Sequence, residues 1–290
     1  MDDFSKYFCG EDGYCLDYEK AQIALLPVPY DGTSTWLKGA DKGPQAIIEA
    51  SGTLEMYDIP TGTDVSKRGI FTLPYVQENS SPERMSEAVE CALKQVLADG
   101  KFPVTIGGEH SVSIGAFRAM AAHYGDLSIL QFDAHADLRP QYEDSEYNHA
   151  CAMYKAKEVA PIVQVGIRSM CEEERVFVDE DRMFLRQQLR DDSAWQESAL
   201  AQLSKHVYVT VDLDVFDPSI MPSTGTPEPD GLLYHEVLSM IRKVSEKHTI
   251  VGFDVVELCP QKDNKAPDFL AAKLIYQILS FIFSTPSVVE

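Results

Sequence analysis

The sequence predicts an α/β protein of three layers, in which helices cover both faces of a mostly parallel central sheet. Short apolar runs alternate with longer segments of helical periodicity through most of the chain. The short runs are continuously apolar, which is typical of strands buried on both faces. Because we see no linker rich in serine, glycine or proline and no internal repeat, we predict a single domain over residues 1–290.

Six short runs are the candidate strands of this sheet. They cover residues 23–26, 102–106, 128–132, 162–165, 207–211 and 250–253. Four longer segments are the candidate helices, and the first opens with Ser81 as a capping residue, Pro82 in the first turn and an early acid, Glu83. They cover residues 82–98, 112–124, 232–247 and 266–283.

The composition disfavours some classes of partner. With 46 acidic and 25 basic residues the formal net charge is −21, so we expect neither nucleic acid nor an anionic membrane as a partner. The acidity either keeps the protein soluble or attracts cationic ligands, and the sequence favours neither interpretation. Six cysteines without a C-x-x-C pair indicate a reduced, cytoplasmic location. No signal-peptide pattern is visible, and we expect the apolar segment 269–283 to be too short to cross a bilayer.

Metal-binding side chains follow three of the predicted strands. Residues 107–111 read Gly-Gly-Glu-His-Ser, residues 133–137 read Asp-Ala-His-Ala-Asp, and residues 212–217 read Asp-Leu-Asp-Val-Phe-Asp. Side chains two apart on an extended segment point the same way, and α/β sheets bind ligands beyond the carboxyl ends of their strands. We therefore predict one site shared by the three motifs. Its candidate metal ligands are His110, Asp133, His135, Asp137, Asp212 and Asp214.

The number of carboxylates indicates two metal ions. Four clustered carboxylates repel one another unless cations balance them, and two divalent ions cancel the four negative charges. A catalytic zinc usually takes about three protein ligands, fewer than the candidates here. Oxygen and imidazole donors without a cysteine favour manganese, with iron, cobalt and nickel as alternatives. Asp212, Asp214 and Asp217 also have a structural interpretation, as residues that cap turns.

Other catalytic signatures are missing from the sequence. It contains no G-x-S-x-G serine elbow, no G-x-x-x-x-G-K-[ST] phosphate loop and no G-x-G-x-x-G dinucleotide turn. Covalent serine catalysis, ATP use and hydride transfer therefore lose support. Hydrolysis by a metal-activated water is the first hypothesis.

The three motifs resemble the metal motifs of the ureohydrolases, a family that contains arginase and agmatinase. The resemblance extends to residues 39–44, 166–169, 224–227 and 254–257, and so covers nearly the whole chain. It implies an arginase-like fold and a binuclear manganese site, with two Mn²⁺ per chain. In this family a hydroxide that bridges the metals attacks a guanidinium carbon and releases urea and an amine.

The resemblance also implies a role for each site residue. One metal is held by His110, Asp133, Asp137 and Asp212, and the other by Asp133, His135, Asp212 and Asp214. Asp137 also hydrogen-bonds the bridging hydroxide and passes on its proton. Glu257 pairs with the substrate guanidinium, for which a carboxylate offers two parallel hydrogen bonds, and His149 carries a proton to the leaving amine. Without this resemblance, the sequence would equally allow Glu257 to be an ordinary surface acid and His149 an ordinary loop histidine.

Arg139 provides the substrate clue. Arginase-like sequences carry an asparagine at this position, two residues after the Asp-Ala-His-Ala-Asp motif, whereas the Asp-Leu-Arg form resembles agmatinase. We therefore expect agmatine as substrate, with Arg139 and Glu173 as further substrate-binding residues. Guanidinobutyrate, guanidinopropionate, formiminoglutamate, guanidine and arginine are alternative substrates. Less favoured alternatives are a deacetylase-like enzyme with one zinc and a non-catalytic relative that binds a metabolite.

Two further expectations concern assembly. By analogy with the family we expect a homotrimer or a homohexamer. Residues 1–22, which are acidic and aromatic, are a candidate arm at an interface or a lid over the site.

Overall fold

The computed structural model describes residues 6–192 and 194–284. Eight strands form one sheet in this part of the chain. They are β1 (Ile23–Val28), β2 (Ile70–Thr72), β3 (Phe102–Gly107), β4 (Leu127–Phe132), β5 (Ile162–Ile167), β6 (Met183–Leu185), β7 (His206–Asp212) and β8 (Thr249–Val256). Their order is β2-β1-β3-β8-β7-β4-β5-β6, and every neighbouring pair is parallel. The sheet is thus entirely parallel, as continuously apolar strands predict.

Helices lie on both faces of this sheet. They are α1 (Gly10–Gly13), α2 (Gly43–Ser51), α3 (Pro82–Ala98), α4 (Ser113–His123), α5 (Ala152–Lys157), α6 (Arg186–Asp191), α7 (Trp195–Leu200), α8 (Tyr234–Lys247) and α9 (Ala266–Ser284). One apolar core contains residues of α2, α8 and α9, and a second contains residues of α3, α4 and α5. The predicted three-layer α/β fold is confirmed.

The predicted elements match the observed ones closely. All six predicted strands are present, and the predicted helices agree to within two residues at each end. Strands β2 and β6 were not predicted; they have three residues each and lie at the two edges of the sheet. Helices α1, α2, α5, α6 and α7, of four to nine residues, were not predicted either. Short elements carry too little periodicity to be recognised without their neighbours.

The expectation that the apolar C-terminal segment is too short to cross a bilayer was wrong. Helix α9 has 19 residues and is long and apolar enough, by length and composition alone, to span a membrane. Within the structure, however, 67% of its most apolar stretch is buried, and Ile275, Tyr276 and Leu279 are fully enclosed. A core helix meets the same length and composition criterion, and α9 packs against α2 and α8 as such a helix does.

The described part of the N-terminal segment packs against one edge of the protein. The backbone N–H of Phe8 donates to Thr72 Oγ1 on β2 at 2.9 Å, and that of Cys9 donates to Ser51 Oγ on α2 at 2.9 Å. Residues 6–22 do not line the cavity described below, and residues 1–5 lie outside the described residues. The single-domain organisation over residues 1–290 stays a prediction.

Candidate active site

The three sequence motifs meet because their strands are neighbours in the sheet. The order β3-β8-β7-β4 places the carboxyl ends of all three motif strands side by side, with β8 between β3 and β7. The register is close to level, since Ile106 pairs with Val255 and Phe132 with Val211. After β3 the chain turns at Gly108, where a Cβ atom would lie 1.9 Å from the Tyr30 carbonyl oxygen. Only glycine permits this close approach, which precedes His110.

Two groups of ligand atoms lie at the centre of the site. One comprises His110, Asp133 and Asp212, the other comprises Asp133, His135 and Asp214, and the atoms within each group lie within 4.8 Å of one another. His110 Nδ1 is 3.1 Å from Asp133 Oδ2 and 3.4 Å from Asp212 Oδ2. His135 Nδ1 is 2.9 Å from Asp214 Oδ2 and 3.7 Å from Asp133 Oδ1. Asp133 belongs to both groups.

Asp137 joins this cluster from a left-handed backbone conformation. Its Oδ2 lies 3.1 Å from His110 Nδ1, and its φ is 51°. Its carbonyl oxygen accepts hydrogen bonds of 3.0 Å from the backbone N–H groups of Met153 and Tyr154, which hold this conformation. A left-handed conformation is unfavourable for a residue other than glycine, and it persists only where surrounding contacts such as these hold it in place. All six residues predicted as ligands are thus brought together.

The donor set fits divalent cations. His110 Nε2 lies 2.9 Å from Thr210 Oγ1, and Thr210 in turn donates to Asp254 Oδ1 at 2.6 Å. Because the Thr210 hydrogen points to Asp254, its oxygen accepts from Nε2–H, which leaves the lone pair of His110 on Nδ1. Nδ1 is buried and has no hydrogen-bond partner, although three carboxylate oxygens surround it. Histidines that bind a metal through one ring nitrogen commonly donate a hydrogen bond from the other, as His110 does from Nε2.

The electrostatics of the cluster lead to the same conclusion. Burial, and next the charge of Asp214, raises the pKa of Asp212 well above its usual value. Burial and the nearby Asp133 raise the pKa of Asp137 to about 6. Burial lowers the pKa of His110, but the close carboxylates of Asp133, Asp137 and Asp212 outweigh it and raise that pKa well above its usual range. The field that favours a proton here also favours a divalent cation.

Two glutamines support Asp133 from beneath the cluster. Gln131 Nε2 donates to Asp133 Oδ2 at 2.7 Å, and Gln164 Nε2 donates to Gln131 Oε1 at 2.6 Å. Both glutamines are buried on adjacent strands, β4 and β5. Such outer partners orient a ligand and raise the affinity of the site.

A cavity of about 340 Å³ opens above the cluster. Its wall includes ligand residues, several loop residues and three of the four predicted substrate-binding residues, namely Arg139, His149 and Glu257. The lining residues are Ser34, Thr35, Trp36, Leu37, His135, Ala136, Asp137, Arg139, Tyr142, His149, Ala150, Ser169, Met170, Cys171, Glu174, Asp212, Asp214, Gly225, Thr226 and Glu257.

Glu257 lies in this wall directly after β8. Its φ is 68°, and its Oε1 accepts a hydrogen bond of 2.8 Å from the backbone N–H of His110. Burial, and next the charge of Glu109, raises the pKa of Glu257 well above its usual value. A guanidinium cation bound next to Glu257 would lower this pKa again and stabilise the ionised carboxylate, so the Glu257 side chain is suited to bind such a cation.

His149 faces the same cavity from the loop before α5. Its side chain contacts Thr33 Oγ1, 3.1 Å from Nδ1. Burial, and next the positive charges of His135 and His110, lower the pKa of His149 to about 4. The imidazole is therefore neutral at neutral pH.

The predicted residues farther from the cluster lie in two different environments. Arg139 lines the cavity, with its guanidinium carbon 4.2 Å from the ring centre of Tyr142 and its Nε 3.3 Å from Cys171 Sγ. Glu173 is exposed and does not line the cavity. Its neighbour Glu174 does, and its two oxygens accept from the backbone N–H groups of Leu138 and Cys171 at 2.8 and 2.7 Å.

Comparison with known proteins identifies the family. The family model described as "Arginase family" matches residues 21–280. The chain belongs to the arginase family. It is a hydrolase that acts on guanidino C–N bonds, as its relatives are.

Three arginase-family proteins illustrate the similarity. The "N(1)-aminopropylagmatine ureohydrolase" of Synechocystis is 35% identical over 91% of this chain and 90% of its own. The "Agmatinase" of Halalkalibacterium halodurans is 32% identical over 91% of this chain and 93% of its own. The crystal structure of agmatine ureohydrolase from Thermoplasma volcanium has a TM-score of 0.86, with 33% identity over 94% of both chains.

Several residues in or near this arginase-family cavity were not anticipated. Trp36 and Glu174 line the cavity from loops that carry no predicted metal ligand. Thr33, which contacts His149, does not line it, and Glu109 was read only as part of a glycine turn. The complete burial of the Glu109 carboxylate would have marked it as a residue of interest. Burial of a loop residue, however, is not visible in a sequence. The side chain of Thr33 reaches a residue 116 positions away.

Proposed function

We propose that this chain hydrolyses the guanidinium group of agmatine to urea and putrescine, with two Mn²⁺ as cofactors. The observation that carries the proposal is the sharing of Asp133 between two ligand groups at the base of one cavity. A carboxylate has two oxygens, so one residue can serve two cations. The wall of the same cavity holds Glu257 and His149, which suit a guanidinium and a proton transfer.

The residues that would hold the metals are the six that cluster at the strand ends. His110, Asp133, Asp137 and Asp212 would serve one ion, and Asp133, His135, Asp212 and Asp214 the other. When bound, such ions lower the pKa of a coordinated water from about 15.7 to about 7, which supplies hydroxide at neutral pH. A guanidinium carbon is a poor electrophile, so this nucleophile is what the reaction needs.

The remaining residues bind the substrate and move protons. Glu257 accepts two hydrogen bonds from the planar guanidinium and holds its carbon toward the ligand cluster. The Asp137 carboxylate accepts the proton that the nucleophile loses. His149, neutral in its buried position, takes up a proton and delivers it to the nitrogen of the leaving amine.

N(1)-aminopropylagmatine is a second candidate substrate. The relative from Synechocystis carries its name, and the cavity continues past the polar cluster to a partly exposed apolar rim formed by Trp36, Leu37 and Met170. A longer polyamine would reach this rim with its methylene groups. Arg139 would instead pair with the carboxylate of a guanidino acid, which keeps guanidinobutyrate and related acids as alternatives.

The decisive experiment measures urea release from a panel of guanidino compounds by the manganese-loaded protein. We expect release from agmatine or N(1)-aminopropylagmatine, loss of activity on chelation and recovery on addition of Mn²⁺, with about two metal ions per chain. Urea from a guanidino acid alone would refute the proposed substrate but leave the reaction type intact. One zinc ion per chain with deacetylase activity would refute the proposal.

We further propose a cytoplasmic homotrimer or homohexamer that acts on a small cationic substrate. The net charge of −21 supports attraction of such a substrate. Light scattering of the purified chain tests the assembly, and a monomer at micromolar concentration would contradict it.

A further inference from the structure

Two buried amides lie beneath the ligand cluster, and the proposed reaction does not use them. Gln131 on β4 and Gln164 on β5 are buried and pair with each other in the register of the sheet. Burying a polar group costs free energy unless the group is hydrogen-bonded. The contacts of these amides therefore indicate what the two side chains hold in place.

The carbonyl oxygens of residues 133–137 decide which way each amide faces. One end of the Gln131 amide lies 3.3 Å from the carbonyl oxygen of His135. One end of the Gln164 amide lies 2.8 Å from the carbonyl oxygen of Ala136. Because a carbonyl oxygen can only accept, both of these ends are NH2 groups. The Gln131 oxygen then accepts from Gln164 Nε2 at 2.6 Å, so the donors run in one direction, toward residues 133–137.

The last donor of this chain reaches one particular oxygen of the shared ligand. Gln131 Nε2 donates to Asp133 Oδ2 at 2.7 Å, and the same Oδ2 lies 3.1 Å from His110 Nδ1. The other oxygen, Oδ1, accepts from the backbone N–H of His135 at 2.6 Å and lies 3.7 Å from His135 Nδ1. Oδ2 thus faces the ligand group of His110, and Oδ1 faces the ligand group of His135.

The two ligand groups therefore depend on Gln131 to different degrees. Loss of the Gln131 amide would remove the side-chain donor from Oδ2 of Asp133. Oδ1 would keep its donor, because that donor is the backbone N–H of His135. In the same ligand group, Asp214 Oδ1 also accepts from a backbone N–H, that of Ala134, at 3.0 Å.

We propose that Gln131, held by Gln164, is a positioning residue that sets the affinity of one metal position, the one formed by His110, Asp133 and Asp212. The inference rests on the proposed binuclear site. A directed hydrogen bond to Oδ2 orients the carboxylate, and partners of this kind change metal affinity about 10- to 100-fold. Both amides are neutral, so the balance between four carboxylates and two divalent ions is unchanged.

Calorimetric titration of the metal-free chain with Mn²⁺ tests the proposal without turnover. Gln131→Met nearly keeps the length of the side chain and removes the donor. We expect the affinity for one ion to fall about 10- to 100-fold and that for the other to change less than about threefold. Equal losses for the two ions, or no loss for either, would overturn the inference.

The second amide provides an independent variant. Gln164→Met removes the donor to the Gln131 oxygen but leaves Gln131 in place, so we expect a smaller loss, about 3- to 10-fold, for one ion only. Because Gln164 acts through Gln131, the double variant should lie within about threefold of Gln131→Met. Losses that multiply in the double variant would contradict a chain of donors.

A buried glutamine outside the cavity is the matched control. Gln277 on α9 donates from Nε2 to Asp58 Oδ1 at 3.1 Å, and its Oε1 accepts from the Tyr234 hydroxyl at 2.7 Å. Gln277→Met removes the same kind of amide from the core, and we expect both Mn²⁺ affinities to stay within about twofold of the parent. If Gln277→Met weakened one ion as Gln131→Met does, the role of Gln131 would be merely structural.

The location of the retained ion identifies the weakened ligand group. In Gln131→Met loaded with one equivalent of Mn²⁺, we expect a further His135→Ala to release the ion and a further His110→Ala to leave it bound. The EPR signal of free Mn²⁺ measures this, and the opposite pattern would overturn the inference. So would a parent chain that binds only one ion. If no guanidino compound released urea, the proposed reaction would fail while these titrations still decided the role of Gln131.

Discussion

The floor and the rim of the cavity are built in opposite ways. The floor, which we define as the cluster residues His110, Asp133 and Asp212 beneath the cavity, is buried, and its residues lie at the ends of β3, β4 and β7 or up to three residues beyond them. The rim, defined as Trp36, Leu37 and Met170, comes from loops, and its side chains are 67%, 44% and 37% exposed. The floor is held by the register of the sheet, whereas the rim depends on loop conformation.

This difference separates chemistry from selectivity. Groups that must hold two cations within a few ångströms need positions that do not fluctuate, and a parallel sheet covered on both faces provides them. Groups that contact the far end of a substrate can vary in sequence and conformation without loss of the reaction. Changes at the floor should therefore abolish activity, and changes at the rim should alter substrate preference.

The largest effect is expected at the shared ligand of the floor. Asp133→Asn removes a charge from both ligand groups, and we expect loss of both metals and a fall in kcat of about 10³-fold or more, because the metals contribute several kcal/mol. Metal analysis with urea release measures this. Asp217→Asn is the matched control, since the Asp217 carboxylate also follows β7 but accepts from the backbone N–H groups of Ser219 and Gly231 and belongs to neither ligand group. Retention of both metals by Asp133→Asn would contradict the shared site.

A smaller effect is expected at Thr210, which contacts a ligand of the floor but belongs to neither ligand group. Thr210→Val removes the acceptor that holds His110 Nε2, and we expect metal affinity to fall about 10- to 100-fold. Titration with Mn²⁺ monitored by calorimetry measures this change. Thr249→Val, at the exposed start of β8, serves as the control. An unchanged affinity in Thr210→Val would show that the floor does not need this support.

We expect substitutions at the rim to change KM rather than kcat. Trp36→Ala removes an aromatic face that can contact an ammonium or methylene groups, and we expect KM to rise about 3- to 10-fold with little change in kcat. Steady-state kinetics with agmatine and with N(1)-aminopropylagmatine would measure this, and the longer substrate should be affected more. Ile59→Ala is the control, because Ile59 is more exposed but lies outside the cavity. A fall in kcat alone would remove the distinction between rim and floor.

The smallest effect is expected just outside the rim. Glu173 is exposed, so Glu173→Gln should change KM less than about twofold, the usual scale for a screened surface charge. Glu174→Gln replaces an acceptor of one buried and one partly buried backbone N–H group, and we expect it to cost about 1–3 kcal/mol of stability. Kinetics and thermal unfolding of the two variants measure these changes. A large rise in KM for Glu173→Gln would indicate contact with substrate.

For the same reason, the residues of the floor could be predicted from the sequence and those of the rim could not. Strands such as β4 and β7 are mostly apolar and are buried along nearly their whole length because both faces are covered, and the ligands directly follow or end them. Both features are local, so periodicity and motif spacing locate them. The edge strands β2 and β6 have three residues each, which is too short for a pattern to stand out.

The amino-acid sequence by itself determined the layered parallel fold and the six residues that converge as ligands, because strand burial and alternating side chains are encoded over a few neighbouring positions. Only the tertiary structure decided which loops complete the cavity. Glu174 and Trp36 enter its wall, Glu173 stays outside it, and Thr33 meets a histidine 116 residues away. Contacts between distant loops depend on how the whole chain packs, and no local pattern records them.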